Sequence, residues 1–279
     1  MKLTLLGTGS PIPDPNRAGP STLVQADGAN LLFDCGRGVL MRLAGVGLLP
    51  PMLSRVFLTH LHSDHITDFN DVLTMRWTMT PGANTGKSPL PVTGPPGTAT
   101  FVERTIAMLT DDIGYRIAHH DDLHEPPQCV TTEVLDGDVT EEADGAVRVL
   151  AGPTDHRPVV PTVGYRVEHG GKSIVIAGDT VPCDGLDRLC DGADAYVQTV
   201  IRPDLVVKVP NPRFHDIVDY HSSVEDAART AKRASVKMLV LTHMVPAVAP
   251  GMEQEWVDMA AAHFDGEIVL ATDLQSIEL

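Results

Sequence analysis

The sequence predicts an α/β fold, a two-sheet sandwich with helices on its outer faces. Three observations predict it. Short runs rich in leucine and β-branched residues alternate with helical patterns along the whole chain. The pattern occurs once in each half, with no linker between them, so a single domain over residues 1–279 is expected. The chain is 43% hydrophobic, enough for a substantial core.

LTLLG (3–7), TLVQA (22–26), NLLFD (30–34) and RVFLT (55–59) read as strands, the first as an edge strand. Helical patterns cover 38–46 and 65–76. The stretch Thr80 to Thr100 is rich in Pro, Gly, Ser and Thr and reads as an exposed loop, with PVTG as a strand start inside it and a helix over 98–110. In the second half, VGYRV (163–167) and KSIVIAG (172–178) flank EHGG, a hairpin turn. A helix near 184–190 and a strand near 194–199 follow. SSVEDAARTAKRAS is a helix opened by serines, KMLVLTH is a buried strand, and a last helix and two short strands close the chain.

The formal net charge is −16, and no basic stripe is present, which weighs against tight nonspecific nucleic-acid binding. RNA as a substrate is not excluded, because bound metal supplies local positive charge. The four cysteines, Cys35, Cys129, Cys183 and Cys190, are scattered without a CxxC pair, so reduced thiols are expected. No run of 18 apolar residues occurs, so no membrane span is expected. The opening MKLTLLGTGSPIPDP does not read as a signal peptide, and a cytoplasmic protein is expected.

The segment Leu58-Thr-His-Leu-His-Ser-Asp-His-Ile-Thr-Asp68 follows a buried strand and precedes a helix. His60, His62, Asp64 and His65 cannot share one helix or strand face, but a loop leaving a strand can make them converge. Imidazoles with a carboxylate suit zinc, with iron or manganese as alternatives.

The HxHxDH pattern in this context resembles the metallo-β-lactamase superfamily. That resemblance implies a four-layer αββα sandwich of two mostly antiparallel mixed sheets with helices outside. It implies His60, His62 and His156 on one divalent ion, Asp64, His65 and His243 on a second, and Asp179 joining them. An aspartate at the joining position differs from the cysteine of the β-lactamases proper. Two cations about 3.5–4 Å apart can share a water and lower its pKa from 15.7 towards ~7. Asp64 is expected also to accept a proton.

Leu6-Gly-Thr-Gly-Ser-Pro, Arg17, Ser21, Phe33-Asp34-Cys35-Gly36 and Tyr220-His221-Ser222-Ser223 are similar to the ribonuclease Z and arylsulfatase-like branch. The resemblance implies that His221 acts beside the metals as general acid or oxyanion stabiliser. It also implies a homodimer. Three departures stand out. Ribonuclease Z enzymes of the common type carry a long tRNA-gripping arm between the residues matching His156 and Asp179, and here 157–178 hold only two strands and a turn. Val197-Gln198-Thr199-Val200 replaces the branch's HEAT segment, whose glutamate orients a catalytic histidine, and Ser63 stands at a usual glycine.

The expectation is therefore a two-metal hydrolase of a small or medium phosphodiester, sulfate ester or related ester, with RNA not favoured. The alternatives are a tRNA 3′-end endonuclease with a partner-supplied grip, a thioesterase or lactonase of the glyoxalase II type, and a noncatalytic metal-binding module. Arg76 and Trp77 are expected to wall the substrate pocket, with ordinary packing as the alternative. The segment Ile201–Tyr220, with Arg202, Lys208 and Arg213, reads as a lid. His119, His120 and His124 read as surface residues, Asp136–Asp144 as a solvated turn, and Asp34 and Asp68 as ties beneath the metals.

Overall fold

Fourteen strands form two seven-stranded sheets in the computed structural model, which describes residues 1–80 and 88–279. The first half contains β1 (Lys2–Gly7), β2 (Ser21–Ala26), β3 (Ala29–Phe33), α1 (Val39–Gly45), β4 (Arg55–Phe57), α2 (Ser63–Ile66), α3 (Phe69–Met79), β5 (Leu90–Gly94), α4 (Thr98–Met108), α5 (Thr110–His119) and β6 (Cys129–Glu133). The second contains β7 (Val139–Glu142), β8 (Val147–Pro153), β9 (Val163–His169), β10 (Lys172–Ile176), α6 (Asp184–Cys190), β11 (Ala195–Ile201), α7 (Pro203–Val206), α8 (Pro212–His215), α9 (Val224–Arg233), β12 (Met238–Val245), α10 (Glu253–Ala261), β13 (Glu267–Leu270) and β14 (Gln275–Glu278). None of these helices is long and apolar enough to cross a membrane.

The strand orders are β14-β1-β2-β3-β4-β5-β6 and β13-β12-β11-β10-β9-β8-β7. Three expectations need correction. The sheets are mixed but not mostly antiparallel: each has three antiparallel and three parallel pairings, because helices carry the chain between the parallel strands. The first strand is not an edge, since β14 returns from the far end of the chain to pair with it. The acidic stretch 136–144 contains β7, which pairs with β8. Of the stretch read as an exposed loop, residues 81–87 lie outside the described residues.

Strand alternation builds the layers. On β2, Val24 points between the sheets while its neighbour Leu23 points to the helices. The inner layer joins Leu3, Leu5, Phe33 and Phe57 of one sheet to Val163, Tyr165, Ile176 and Val197 of the other. Phe33 and Phe57 stack at 4.7 Å, and the Tyr165 hydroxyl donates to the Leu58 carbonyl at 2.7 Å, tying the sheets at the point where the histidine-rich loop departs. The outer face of one sheet packs on α1, α3 and α4, and that of the other on α6, α9 and α10. Each fully buried large side chain contributes about 1.5–3 kcal/mol.

α9 is the clearest local case. Ser223 and Asp226 form a reciprocal capping box at its start, and Ala227, Ala228 and Ala231 turn its small-residue face to the sheet. That cap fixes the chain directly after His221.

Candidate metal centre

Four strand ends meet at one edge of the sandwich. The loop after β4 carries His60, His62, Asp64 and His65; the ends of β8 and β10 carry His156 and Asp179; β12 carries His243. The structure brings all seven together, in two groups that could each hold an ion: His60, His62, His156 and Asp179 in one, and Asp64, His65 and His243 in the other. Asp179 Oδ2 lies between them, 3.9 Å from His60 Nε2, 3.8 Å from His156 Nε2, 3.5 Å from His65 Nε2 and 3.8 Å from His243 Nε2.

Most of the rings are oriented from behind. Asp34 accepts from the Thr59 amide at 2.8 Å and hydroxyl at 2.9 Å, and its Oδ2 lies 2.7 Å from His65 Nδ1. With its proton given to Asp34, the Thr59 hydroxyl accepts from His60 Nδ1 at 3.0 Å. His156 Nδ1 donates to the Tyr220 carbonyl at 2.8 Å, and His221 Nδ1 to the Ile217 carbonyl at 2.9 Å. Each of these bonds fixes the proton on Nδ1 and leaves Nε2 facing the centre. His62 faces it with Nδ1, 3.1 Å from His60 Nε2 and 3.2 Å from His156 Nε2. Asp68 accepts from the Gly38 amide at 2.7 Å and ties the adjoining loop, as expected.

The electrostatics divide the groups. Burial pushes the pKa of His60 well below the ordinary imidazole value, lowers that of His62, and lowers that of His156 to about 4. These rings are neutral and their lone pairs converge, an arrangement that repels unless a cation sits among them. Burial opposes charge on His65 and His243 too, but Asp179 and the carboxylates beside them outweigh it and raise both. Asp179 is held well below the carboxylate range despite its burial, chiefly by His243 and His65. Asp64, whose Oδ2 lies 3.1 Å from His243 Nε2, is also lowered against burial. Two buried atoms of these side chains, His65 Nε2 and Asp179 Oδ1, have no hydrogen-bond partner among the described residues. A divalent cation satisfies them, so the donor set fits the implied metals.

His243 has φ 51°, a left-handed conformation rare for this residue type. It sits where β12 carries one residue more than β11: Thr199 pairs with Thr242 and Ile201 with Val245, so Val200 faces both His243 and Met244. The bulge re-aims the imidazole into the centre. Gly178 (φ 67°), just before Asp179, packs so closely on Thr59 that a Cβ there would lie 2.7 Å from the threonine Cβ.

A cleft of about 430 Å³ opens above the centre. His221 reaches into it with Nε2, 3.2 Å from Asp179 Oδ2. Ser10 and Ile12 form one lip, and Asn211, Arg213 and Phe214 the other. The expected lid is thus a built lip with its own apolar packing, Phe214 and Ile217 against Ile201, Val206 and Val245. Arg202 is not part of the cleft; it is buried, paired with Asp204 at 2.8 Å and set over Trp256.

Arg76 and Trp77 do not wall this cleft. Arg76 is buried and donates to the Pro50 and Leu53 carbonyls at 3.1 and 2.8 Å, while Trp77 packs on Ile113 and Leu123 and donates to the Glu125 carbonyl at 3.0 Å. The inward face of α3 holds both, far too enclosed to meet a substrate. His119, His120 and His124 are exposed surface residues, as expected. Neither Thr59 nor the Tyr220 and Ile217 carbonyls stood out in the sequence: one is a common residue beside a ligand, the others are backbone atoms.

A family model described as a beta-lactamase superfamily domain matches residues 29–244. The chain is 55% identical over 279 residues to a ribonuclease Z of Mycolicibacterium gilvum, covering 100% of this chain and 96% of that protein. It is 56% identical to a ribonuclease Z of Mycobacterium avium, covering 100% and 98%. Among solved structures, human tRNase Z, short form, superposes with a TM-score of 0.71 at 25% identity, covering 100% of this chain and 98% of the other. These relatives overturn the weighting against RNA. It rested on the missing arm together with the altered HEAT segment and Ser63, but these ribonucleases Z are matched over 96–98% of their own length, which leaves no room for an arm beyond what this chain has.

Proposed function

Because the chain belongs to the metallo-β-lactamase superfamily, on its ribonuclease Z branch, we propose that this metal-dependent hydrolase is an endoribonuclease that cuts precursor tRNA near its 3′ end. Identity above 50% to ribonucleases Z along the entire chain carries the reading. In it, His60, His62 and His156 would hold one zinc ion and Asp64, His65 and His243 a second, with Asp179 lying between the two groups. When bound, such a pair makes a water nucleophilic near neutral pH and steadies the oxygens that gain charge at phosphorus.

The remaining work falls to the chain itself. Asp34 and Thr59 keep the His60 and His65 rings turned to the ions. Asp64 takes the proton released by the attacking water. His221 faces the departing oxygen with Nε2; because Nδ1 is committed to the Ile217 carbonyl, the ring must hold both protons to donate there. The Ile217 carbonyl takes over the orienting task of the missing HEAT glutamate, since Gln198 instead meets the Tyr196 hydroxyl and Thr199 the Gly178 carbonyl. A homodimer and a cytoplasmic location belong to the same proposal; the free thiols of all four cysteines support the latter.

The test is cleavage of a precursor tRNA bearing a 3′ trailer by zinc- or manganese-loaded protein, beside bis(p-nitrophenyl) phosphate and p-nitrophenyl sulfate. Release of the trailer as one fragment is expected. Turnover of a small ester with the precursor left intact would return the reading to a small-substrate hydrolase.

A further inference from the structure

A second groove, of about 350 Å³, adjoins the metal cleft, and Ser63 lines both. Its walls come from α2, α3 and α4, with Ile66, Asn70, Phe101, Arg104 and Met108 around it. Its size falls in the range of ligand clefts, about 300–1,000 Å³. We propose that this groove is a nucleotide subsite, in which one unpaired base of the RNA rests on Phe101 while an adjoining phosphate meets Arg104. The proposal rests on the RNA reading above and extends it to the path of the strand beyond the scissile bond.

Three observations on independent residues carry it. Arg104 is exposed and forms no ion pair or side-chain hydrogen bond among the described residues, in a chain of net charge −16 where Arg116, Arg148, Arg166, Arg188 and Arg233 are all paired with carboxylates. An unpaired guanidinium beside an active-site cleft offers a planar, permanently charged fork to a phosphate. Phe101 is only half-buried and is braced from behind by Phe69, ring centroids 5.1 Å apart, which holds the ring as a platform. Unstacked bases of single-stranded RNA are commonly received on such rings. The Asn70 side-chain amide is half-buried at the groove and makes no hydrogen bond among the described residues, leaving a donor and an acceptor for a base edge. Met108, 68% exposed, continues the apolar floor outward.

A phosphate-bearing strand fits better than a second copy of this chain. The groove runs directly out of the catalytic cleft, and its one cation would need a carboxylate partner across a protein interface. Ser63, where the two clefts meet, has no bulk to obstruct a backbone passing from one to the other.

The experiment uses full-length, metal-loaded protein and compares Arg104→Glu and Phe101→Leu with the wild type. Substrates are a precursor tRNA with a 3′ trailer and bis(p-nitrophenyl) phosphate, which is too small to reach the groove. Arg104→Glu is expected to raise KM for the precursor about tenfold and to lower the salt dependence of RNA binding by about one ion. Phe101→Leu, which keeps the packing on Phe69, is expected to raise it several-fold. Both leave the small diester's kcat/KM unchanged. Wild-type cleavage of the precursor with KM within twofold in both variants overturns the subsite alone, as does a change of oligomeric state in Arg104→Glu without a change in KM. A wild type that hydrolyses the diester but cuts no RNA overturns the nuclease reading and the subsite together.

Discussion

His65 Nδ1 lies 2.7 Å from Asp34 Oδ2, and both side chains are buried, although 31 residues separate them. The same carboxylate reaches His60 through the Thr59 hydroxyl, so one residue orients a ring of each metal group. Replacing Asp34 by Asn keeps the shape and removes the charge. Zinc affinity is expected to fall by about 10–100-fold, the usual scale for loss of such an outer partner. Competition against a chromophoric chelator measures it, and an unchanged affinity would show that the rings need no carboxylate behind them.

Asp64→Ala removes one oxygen of the second group and the proposed proton acceptor. Turnover is expected to drop by about 10²–10³-fold, the scale of losing one group that stabilises the transition state, with near-UV circular dichroism unchanged. Dialysis against a chelator should abolish activity and lower Tm, and zinc at a hundred times its Kd should restore about 2.7 kcal/mol of stability. Full activity in the stripped protein would end the metal assignment.

Arg76 is the control for a substrate role. Arg76→Ala leaves the buried Leu53 carbonyl without a donor, while the Pro50 carbonyl keeps the Leu53 amide, costing about 1–3 kcal/mol for the one unpaired group. Thermal unfolding should register the loss while KM for every substrate stays the same. A rise in KM with stability intact would reinstate Arg76 at the pocket.

Asp194 gives the acid limb of stability. Burial pushes its carboxyl up, but Lys237 at 2.8 Å, the Ser173 amide at 2.9 Å and Lys172 at 3.4 Å outweigh that and hold it below the usual value. A depressed folded pKa contributes stability that is complete above the unfolded value of about 3.9 and is lost as pH falls through the folded one. The difference in Tm between wild type and Asp194→Asn should therefore be largest near pH 6 and shrink below pH 4. A constant difference down to pH 3 would place the effect in packing.

The metal centre was largely legible because its chemistry needs particular side chains. Four ligand-type residues crowd into positions 60–65 after an apolar strand, and of the distant ligands His156 and Asp179 each follow a strand while His243 lies near the end of one. What was not legible depends on contacts that no local pattern encodes. Trp77 looks like a spare aromatic surface until α5 is placed over it. β1 looks like an edge until β14 returns to pair with it, Lys2 opposite Glu278. The helical patterns do not say which strands they join, so the even division of parallel and antiparallel pairings stayed hidden. The groove at Phe101 and Arg104 arises where α2, α3 and α4 meet, and none of the three announces it alone.

The extra residue in β12 does more than turn His243. It exchanges the faces of everything after it, so Val245 lands opposite Ile201 and joins Val206 in the packing that supports Phe214 and Ile217. Ile217 in turn holds His221. A one-residue deletion in this strand would therefore withdraw an ion's ligand, slacken the wall that receives the substrate and release the acid that completes the reaction, all at once. Reactive centre and substrate wall share a single mechanical hinge-pin, and neither can drift in evolution without carrying the other along.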